Sequence, residues 1–502
     1  MSTNPELITA SAAPVAALHA GDPPLRLMGQ VSPAPRVDYR MHTFTLATGV
    51  SRLTVRLHFH KERLCQLFLT VFDPQAYRGT RMNPAGYGDI TLELQCAAHA
   101  ASPGALLGPL LPGLWRVMVD IERTVETADY TIEVIAEDAT AEHMTAATAH
   151  GTAGAASAGT ADATGAGWYR GELHAHSWHS DGKVPVAQVV EAARTYGLDF
   201  LALTDHFTNA GWRNLPNANG SGTFFLHGIE LTGHRGHANL HGLRDWVNVY
   251  ADGPALDPHD HPVLVGPADA PAAENPWDIN AVARAAHAGG GLFCVNHPYA
   301  GDLGWRYHEF DWNLADLMEV YHHLEGPHNA LALGLWDEQL RAGRRLIGVA
   351  GTDSHHPRDA RHRLGQCFTY VYAPERSEAG IIAGLRSGRV YASLGPHLEY
   401  WAEDADGARI EMGGTAANDA PLHLHVALSD LQYLATLYLL KNGYYHDSVP
   451  VLPGTSASLT FTDTPTTPGY YRLELYADQP GELRRYRQPS TLLLLSNPIF
   501  VR

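Results

Sequence analysis

Between Trp168 and Pro396, strand-like apolar runs alternate with helical patterns, and nearly every run ends in His, Asp or Glu. The runs are Tyr169–Ala175, Phe200–Thr204, Phe224–Leu231, Leu292–Asn296, Leu317–Tyr321 and Leu346–Ala350. Helical spacing of apolar residues marks Pro185–Tyr196, Asp278–Ala288 and Asn329–Ala342. Such alternation predicts parallel β/α units, and about seven of them predict an α/β domain with barrel-like closure. A barrel gathers the C-terminal ends of its strands on one face, so polar residues scattered over roughly 180 positions are expected to meet in one pocket.

The strand ends read Glu172-Leu-His174-Ala-His176-Ser-Trp-His179-Ser-Asp181-Gly182, Thr204-Asp205-His206, Gly228-Ile-Glu230, His237-Ala-Asn239-Leu-His241-Gly242, Asn296-His297-Pro298, Glu319-Val-Tyr-His322-His323 and Gly351-Thr-Asp353-Ser-His355-His356. His174 and His176 are two apart on a strand and so point the same way, as do Asp353 and His355. Of the 30 His residues in the chain, 19 fall in this region, which makes imidazole its dominant chemistry. Imidazole with carboxylate suits Zn, Mn or Fe. Cys65, Cys96, Cys294 and Cys367 form no CxxC pair, which removes thiolate zinc sites and disulfide frameworks and fits a reducing compartment.

In this order, HAHSWHSDG, TDH, GIE, HAN, NHP and GTDSHH resemble the motifs of the polymerase and histidinol phosphatase (PHP) metallohydrolases, over about Trp168 to Pro396. The resemblance implies a PHP-type distorted (β/α)7 barrel holding two or three divalent ions. It implies a hydrolase of phosphate esters that uses a hydroxide bridging the ions. It places a first ion on His174, His176, Glu230 and Asp353. A second falls on Glu230, as a bridging carboxylate, with His237 and His297, and a third on Asp181, His206 and His355. His179 in place of Asp181, and His241 in place of His237, stay open, because both stand beside motif positions. His179 or His356 is expected to protonate the leaving oxygen, and Asp205 to orient a ligand or pass a proton. GIELTG close before HAN, with the closing Ser496–Val501 segment SNPIFV, looks most like the branch that includes the carbaryl hydrolases, whose members flank the barrel with β domains. That branch implies an alternative, hydrolysis of aryl carbamate or carboxylate esters at the same ions.

Other polar residues carry quieter expectations. Glu172, Asn296 and Glu319 read as supports for ligands. His322, His323 and His328 read as rim or surface, and His259, Asp260 and His261 as a solvated loop within the Pro-, Asp- and Gly-rich run Arg244–Glu274. Arg213, Arg306, Arg358 and Arg361 suit an anionic substrate through bidentate hydrogen bonds but read first as surface. An aromatic wall containing Trp178 or Tyr299 suits an aryl ester instead. Gly151, Gly154 and Gly159 form no phosphate loop, because neither a strand nor Lys-Ser/Thr accompanies them.

The flanks have a strand rhythm. Residues 1–138 carry short alternating runs at Thr43–Leu46, Leu53–Phe59, Cys65–Phe72, Ile90–Leu94, Leu114–Ile121 and Asp129–Ile135, which predict an N-terminal β-sandwich. Residues 139–167 are dominated by Ala, Gly, Thr and Ser and read as a linker, residues 168–396 as the barrel and residues 397–502 as a second β-sandwich. With 35 Lys and Arg against 53 Asp and Glu, the net charge of −18 argues against a general nucleic-acid binder. The first residues lack a basic start and an unbroken apolar core, and no run is long enough to span a membrane, so a cytoplasmic protein is expected. The expected partner is a small-molecule ester, with neither nucleic acid nor membrane. Oligomeric state stays open. A non-catalytic binding protein is the third reading, and the intact set of candidate ligands argues against it.

Overall fold

The computed structural model describes residues 17–33, 39–82, 87–138, 165–216, 222–248, 278–322, 326–360, 362–454, 456–478 and 491–502. The expected linker lies outside the described residues except at 165–167, as do His259, Asp260, His261, His323 and Arg361. The chain divides into two compact units.

The first unit contains β1 (Leu25–Val31), β2 (Tyr39–Leu46), β3 (Arg52–Lys61), β4 (Cys65–Phe72), β5 (Tyr77–Met82), β6 (Gly88–Ala97), β7 (Gly113–Thr124) and β8 (Ala128–Glu137). They form two four-stranded antiparallel sheets, β1-β8-β3-β6 and β2-β7-β4-β5. Alternate residues of both sheets, Leu53, Val55 and Leu57 of β3 and Trp115, Val117 and Val119 of β7, enter one core, which is the packing of a sandwich. Every strand expected here is present, and β1 and β5 are additional.

The second unit opens with β9 (Gly167–Glu172), β10 (Phe200–Leu203), β11 (Phe224–Gly233), β12 (Gly236–His241), β13 (Leu292–Val295), β14 (Leu317–His322), β15 (Ile347–Gly351), β16 (Phe368–Ala373) and β17 (Val390–Ser393). Its helices are α1 (Val186–Thr195), α2 (Ile279–Ala288), α3 (Gly326–Arg341) and α4 (Glu378–Ser387). Strands run in the order β15-β14-β13-β12-β11-β10-β9-β16-β17. Pairing is parallel across β9-β10-β11 and β13-β14-β15, as strand-helix alternation predicts. It is antiparallel at β11-β12 and β12-β13. The reason is local: His234 and Arg235 close a two-residue hairpin between Gly233 and Gly236, and Gly236 has φ +131, open to glycine alone. A regular (β/α)7 barrel is therefore not what the described residues form. The segments that follow β9 and β15 instead meet, where Ala175 bridges Ser354 in parallel and the His176 amide donates to the Ser354 carbonyl at 3.0 Å.

The last part adds β18 (His397–Glu403), β19 (Arg409–Glu411), β20 (Thr415–Ala416), β21 (Leu422–Ser429), β22 (Ala435–Lys441), β23 (Tyr444–Val451), β24 (Ala457–Asp463), β25 (Gly469–Ala477), β26 (Leu492–Ser496) and β27 (Ile499–Val501). A four-stranded sheet β19-β18-β21-β24 shares a core with β22 and β25. This is not a separate body, because β26 pairs with both β17 and β25 and makes one continuous sheet. Buried Asn497 clamps the junction, accepting from the Gly348 amide at 2.8 Å and donating to the carbonyls of Gly348 and Val390 at 2.8 and 2.9 Å. Arg472 of β25, fully buried, grips Asp337 of α3 through Nε (2.9 Å) and Nη2 (2.6 Å), and Glu474 through Nη1 (2.6 Å). No described helix is long and apolar enough to cross a membrane.

Removing one partner of a buried ion pair strands the other charge. Asp337→Ala is expected to destabilise the second unit by about 3–5 kcal/mol, read as a lower urea midpoint.

Candidate metal centre

The strand ends converge on Glu230 of β11, which is 1% exposed. Its Oε2 lies 3.2 Å from His174 Nε2, 3.3 Å from His176 Nε2 and 3.0 Å from His206 Nδ1. Its Oε1 lies 3.2 Å from His237 Nδ1 and 3.5 Å from His297 Nε2, and accepts from Asn296 Nδ2 at 2.9 Å. The hairpin brings His237 there, because register sets it opposite Thr232, two residues from Glu230 and on the same face. Extended backbone past β9 turns both His174 and His176 inward. Asp353 Oδ1 closes the group at 3.3 Å from His174 Nε2 and 2.9 Å from His176 Nε2.

Alongside, Asp181 Oδ2 lies 3.0 Å from His355 Nε2 and Oδ1 lies 3.5 Å from His206 Nε2. The Nδ1–H of His355 donates to the Asp353 carbonyl at 2.9 Å, leaving Nε2 toward Asp181. Three sets of candidate ligand atoms each lie within 4.8 Å of one another: His174, His176, Glu230 and Asp353; Glu230, His237 and His297; and His176, Asp181, His206 and His355. These sets contain all nine residues expected to hold metal. Two of them, His297 (φ +23) and Asp353 (φ +47), occupy the left-handed region, a strained conformation for non-glycine residues and one concentrated at functional sites.

The alternatives fall elsewhere. His179 Nε2 lies 3.0 Å from Asn214 Oδ1 and joins none of the sets. His241, fully buried four residues past His237 on β12, joins none either, and burial lowers it to about 3. Asp205 uses both oxygens on the loop before Asp181, accepting from the Ser177 amide (2.7 Å), Ser177 Oγ (2.7 Å) and Ser180 Oγ (2.8 Å). That is a loop-holding contact set rather than one aimed into the centre. His356 is half-buried and accepts from the Arg358 amide at 3.2 Å.

The charge balance tests whether the residues suit divalent ions. Burial pushes Glu230, Asp353 and Asp181 upward, yet neighbouring imidazoles, His174 first for Glu230 and Asp353 and His355 first for Asp181, hold each below its ordinary value. Burial lowers His206 to about 3, while the carboxylates of Asp181 and Asp353 overcome burial and raise His355 to about 10. Buried carboxylates packed with imidazoles suit positive charge at the centre. His176 Nε2, His297 Nε2, Glu230 Oε2 and Asp353 Oδ1 are buried with no hydrogen bond of acceptable geometry, as metal-facing atoms would be. The donor set, all imidazole nitrogen and carboxylate oxygen, fits divalent ions.

Behind these residues stand others. Glu172 accepts from the amides of His174 (3.0 Å) and Thr352 (3.0 Å), and burial raises its carboxyl to about 7. Asn296 bridges Glu230 and the Asn239 amide. Glu319 and His322 approach His174 closely enough to form a fourth set. Thr232, hydrogen-bonded to His206 Nδ1, and Asn214, against His179, were not expected. Period-two spacing from Glu230 marks Thr232; nothing in the sequence marks Asn214.

A small indentation of about 10 Å³ lies beside the centre, lined by residues including His297, Pro298, Tyr299, His322, His328 and Ala332. Neither Arg nor Lys is among its described lining. Of the candidate arginines, Arg306 binds the carbonyls of His234 and Asp302, and Arg358 is exposed.

No protein-family model matches the sequence, and a search of curated proteins finds no match. Among solved structures, the chain is similar to a two-domain protein containing a predicted PHP-like metal-dependent phosphoesterase from Bacteroides vulgatus. Identity is 18% over 69% of this chain and 100% of that one, with a TM-score of 0.36. It is also similar to a superoxide reductase (neelaredoxin) from Ignicoccus hospitalis, at 15% identity over 22% of this chain and 82% of that one, TM-score 0.15. The pre-peptidase C-terminal domain of a collagenase from Bacillus anthracis matches at 13% identity over 24% of this chain and 97% of that one, TM-score 0.15. Similarity at this level assigns no role to any side chain.

Proposed function

We propose that the second unit is a metal-dependent hydrolase of phosphate esters, with two or three divalent ions held by His174, His176, Asp181, His206, Glu230, His237, His297, Asp353 and His355. The observation that carries this is one buried carboxylate, Glu230, facing five imidazoles within 3.5 Å. Ions bound there supply Lewis acidity toward the ester oxygen and a water acidified toward neutrality. Glu230 would contribute to two of the ion positions, because Oε2 faces His174, His176 and His206 while Oε1 faces His237 and His297. Asp205 holds the Ser177–Ser180 turn, and through it Asp181 and His179. His179, placed by Asn214, gives the proton that the leaving oxygen needs. The substrate is a small ester, and neither nucleic acid nor membrane is a partner. The fold of residues 168–396 is a distorted PHP-type barrel in this reading.

The indentation favours a second reading. Pro298, Tyr299, Ala300 and Ala332 stand there beside His297, Glu319, His322, His328 and Asn329, with neither Arg nor Lys in the described lining, and this supports an uncharged aryl carbamate or carboxylate ester over an anionic phosphate at the same ions.

Elemental analysis of chelator-free protein, reconstituted with Mn and Zn, is expected to find at least two ions per chain, and a value near zero overturns the proposal. Glu230→Gln is expected to lower metal affinity and turnover by about 10–100-fold; full activity at saturating metal removes the bridging role. Asp181→Asn should lower the ion count. His179→Gln should keep the count and slow esters of poor leaving groups more than nitrophenyl esters. A screen of aryl phosphate mono-, di- and triesters against aryl carbamates separates the two readings.

A further inference from the structure

Glu319 of β14 is 1% exposed and lies outside the nine residues above, yet its carboxylate touches two of them. Oε1 lies 2.7 Å from His174 Nδ1. Oε2 accepts from the His297 backbone amide at 2.8 Å and lies 3.3 Å from His322 Nδ1. His174 belongs to the first ion position and His297 to the second. Period two turns Glu319 into the sheet interior behind the ligands, and the interior makes room for it. A Cβ at Gly351, on the neighbouring strand β15, would collide with Oε1 and would come within 3.0 Å of His174 Cβ.

We infer that Glu319 is the positioning residue that couples the two ion positions, fixing the tautomer of His174 with one oxygen and the backbone of His297 with the other. This rests on the metal-centre reading above. A carboxylate only accepts, so Nδ1 of His174 carries the hydrogen, and Nε2, toward Glu230 and Asp353, keeps its lone pair for an ion. The second oxygen holds the His297 amide where the chain enters its left-handed turn at φ +23, which aims that ring at the second position. Glutamine cannot do both. Its single carbonyl must face the His297 N–H, because that group only donates. Its NH2 then faces His174 Nδ1, drives the hydrogen to Nε2 and blocks ligation.

The test uses metal-stripped full-length chain titrated with Zn²⁺, and separately with Mn²⁺, with affinity and ion count as readouts. Wild type should take up at least two ions. Glu319→Gln should weaken two of them together by about 10–100-fold while the metal-free thermal midpoint stays near wild type. Glu378→Gln, which alters a carboxylate contact to His227 outside every candidate ligand set, should stay within about threefold of wild-type affinity, on the magnitude of a neutral hydrogen bond. Glu319→Asp keeps the charge, retracts it by one methylene and replaces Glu319→Gln if that variant fails to fold; it too should weaken both ions. Wild-type affinity in the folded Glu319 variant, loss at one position only, or an equal loss in Glu378→Gln overturns the inference while the metal centre stands. Absence of binding by wild type overturns the metal-centre reading itself, and this inference with it.

Discussion

Everything around the centre is arranged so that Glu230 stays ionised where water is absent. A lone buried carboxylate is costly, and in a weakly polar interior it takes up a proton unless positive charge or donors surround it. Here five imidazoles and one amide face its two oxygens. Those partners come from four separate segments, the ends of β9, β10 and β13 and the strand β12, while Glu230 itself sits on a fifth, β11. The carboxylate therefore imposes a condition on the whole sheet, since every segment must end at the same height.

A second layer meets that condition. Asp205 ties the turn after β9, Glu172 ties the start of that turn to Thr352, and Glu319 ties His174 to the chain after β13. Each uses a buried carboxylate as an acceptor for backbone amides, a strong, charge-assisted contact that leaves little freedom. The C-terminal strands extend the same logic outward. Asn497 fixes Gly348 of β15, and Arg472 anchors α3, so the β domain that follows the site braces the strand and helix nearest to it.

Physical economy explains why so many acidic residues are tolerated. Buried ion pairs contribute little net stability against a well-packed apolar core, and their value lies in specifying geometry. In the rest of the second unit the core is ordinary: Leu173, Phe200, Leu226, Leu317, Val349 and Val371 fill it with aliphatic and aromatic side chains. Polar burial is concentrated at the strand ends, where chemistry needs it.

The sequence by itself determined the strand ends and the residue types on them, because period-two alternation and the break from apolar to polar are local signals. It also determined the sandwich strands of the first unit, where apolar alternation reads directly as one buried face. Only the tertiary structure decided the rest. That β12 runs antiparallel follows from the two-residue turn at His234-Arg235, and the turn's effect on strand order is invisible to periodicity. His237 and His241 share a face of β12, and only its direction and register put His237 beside Glu230 and leave His241 deeper. Asp181 and His179 are equivalent on an extended strand; the turn held by Asp205 separates them. The union of the C-terminal strands with the central sheet, and the reach of Glu319 to ligands 145 and 22 residues away in sequence, depend on long-range pairing. Local residue patterns carry no record of which distant backbone will lie alongside.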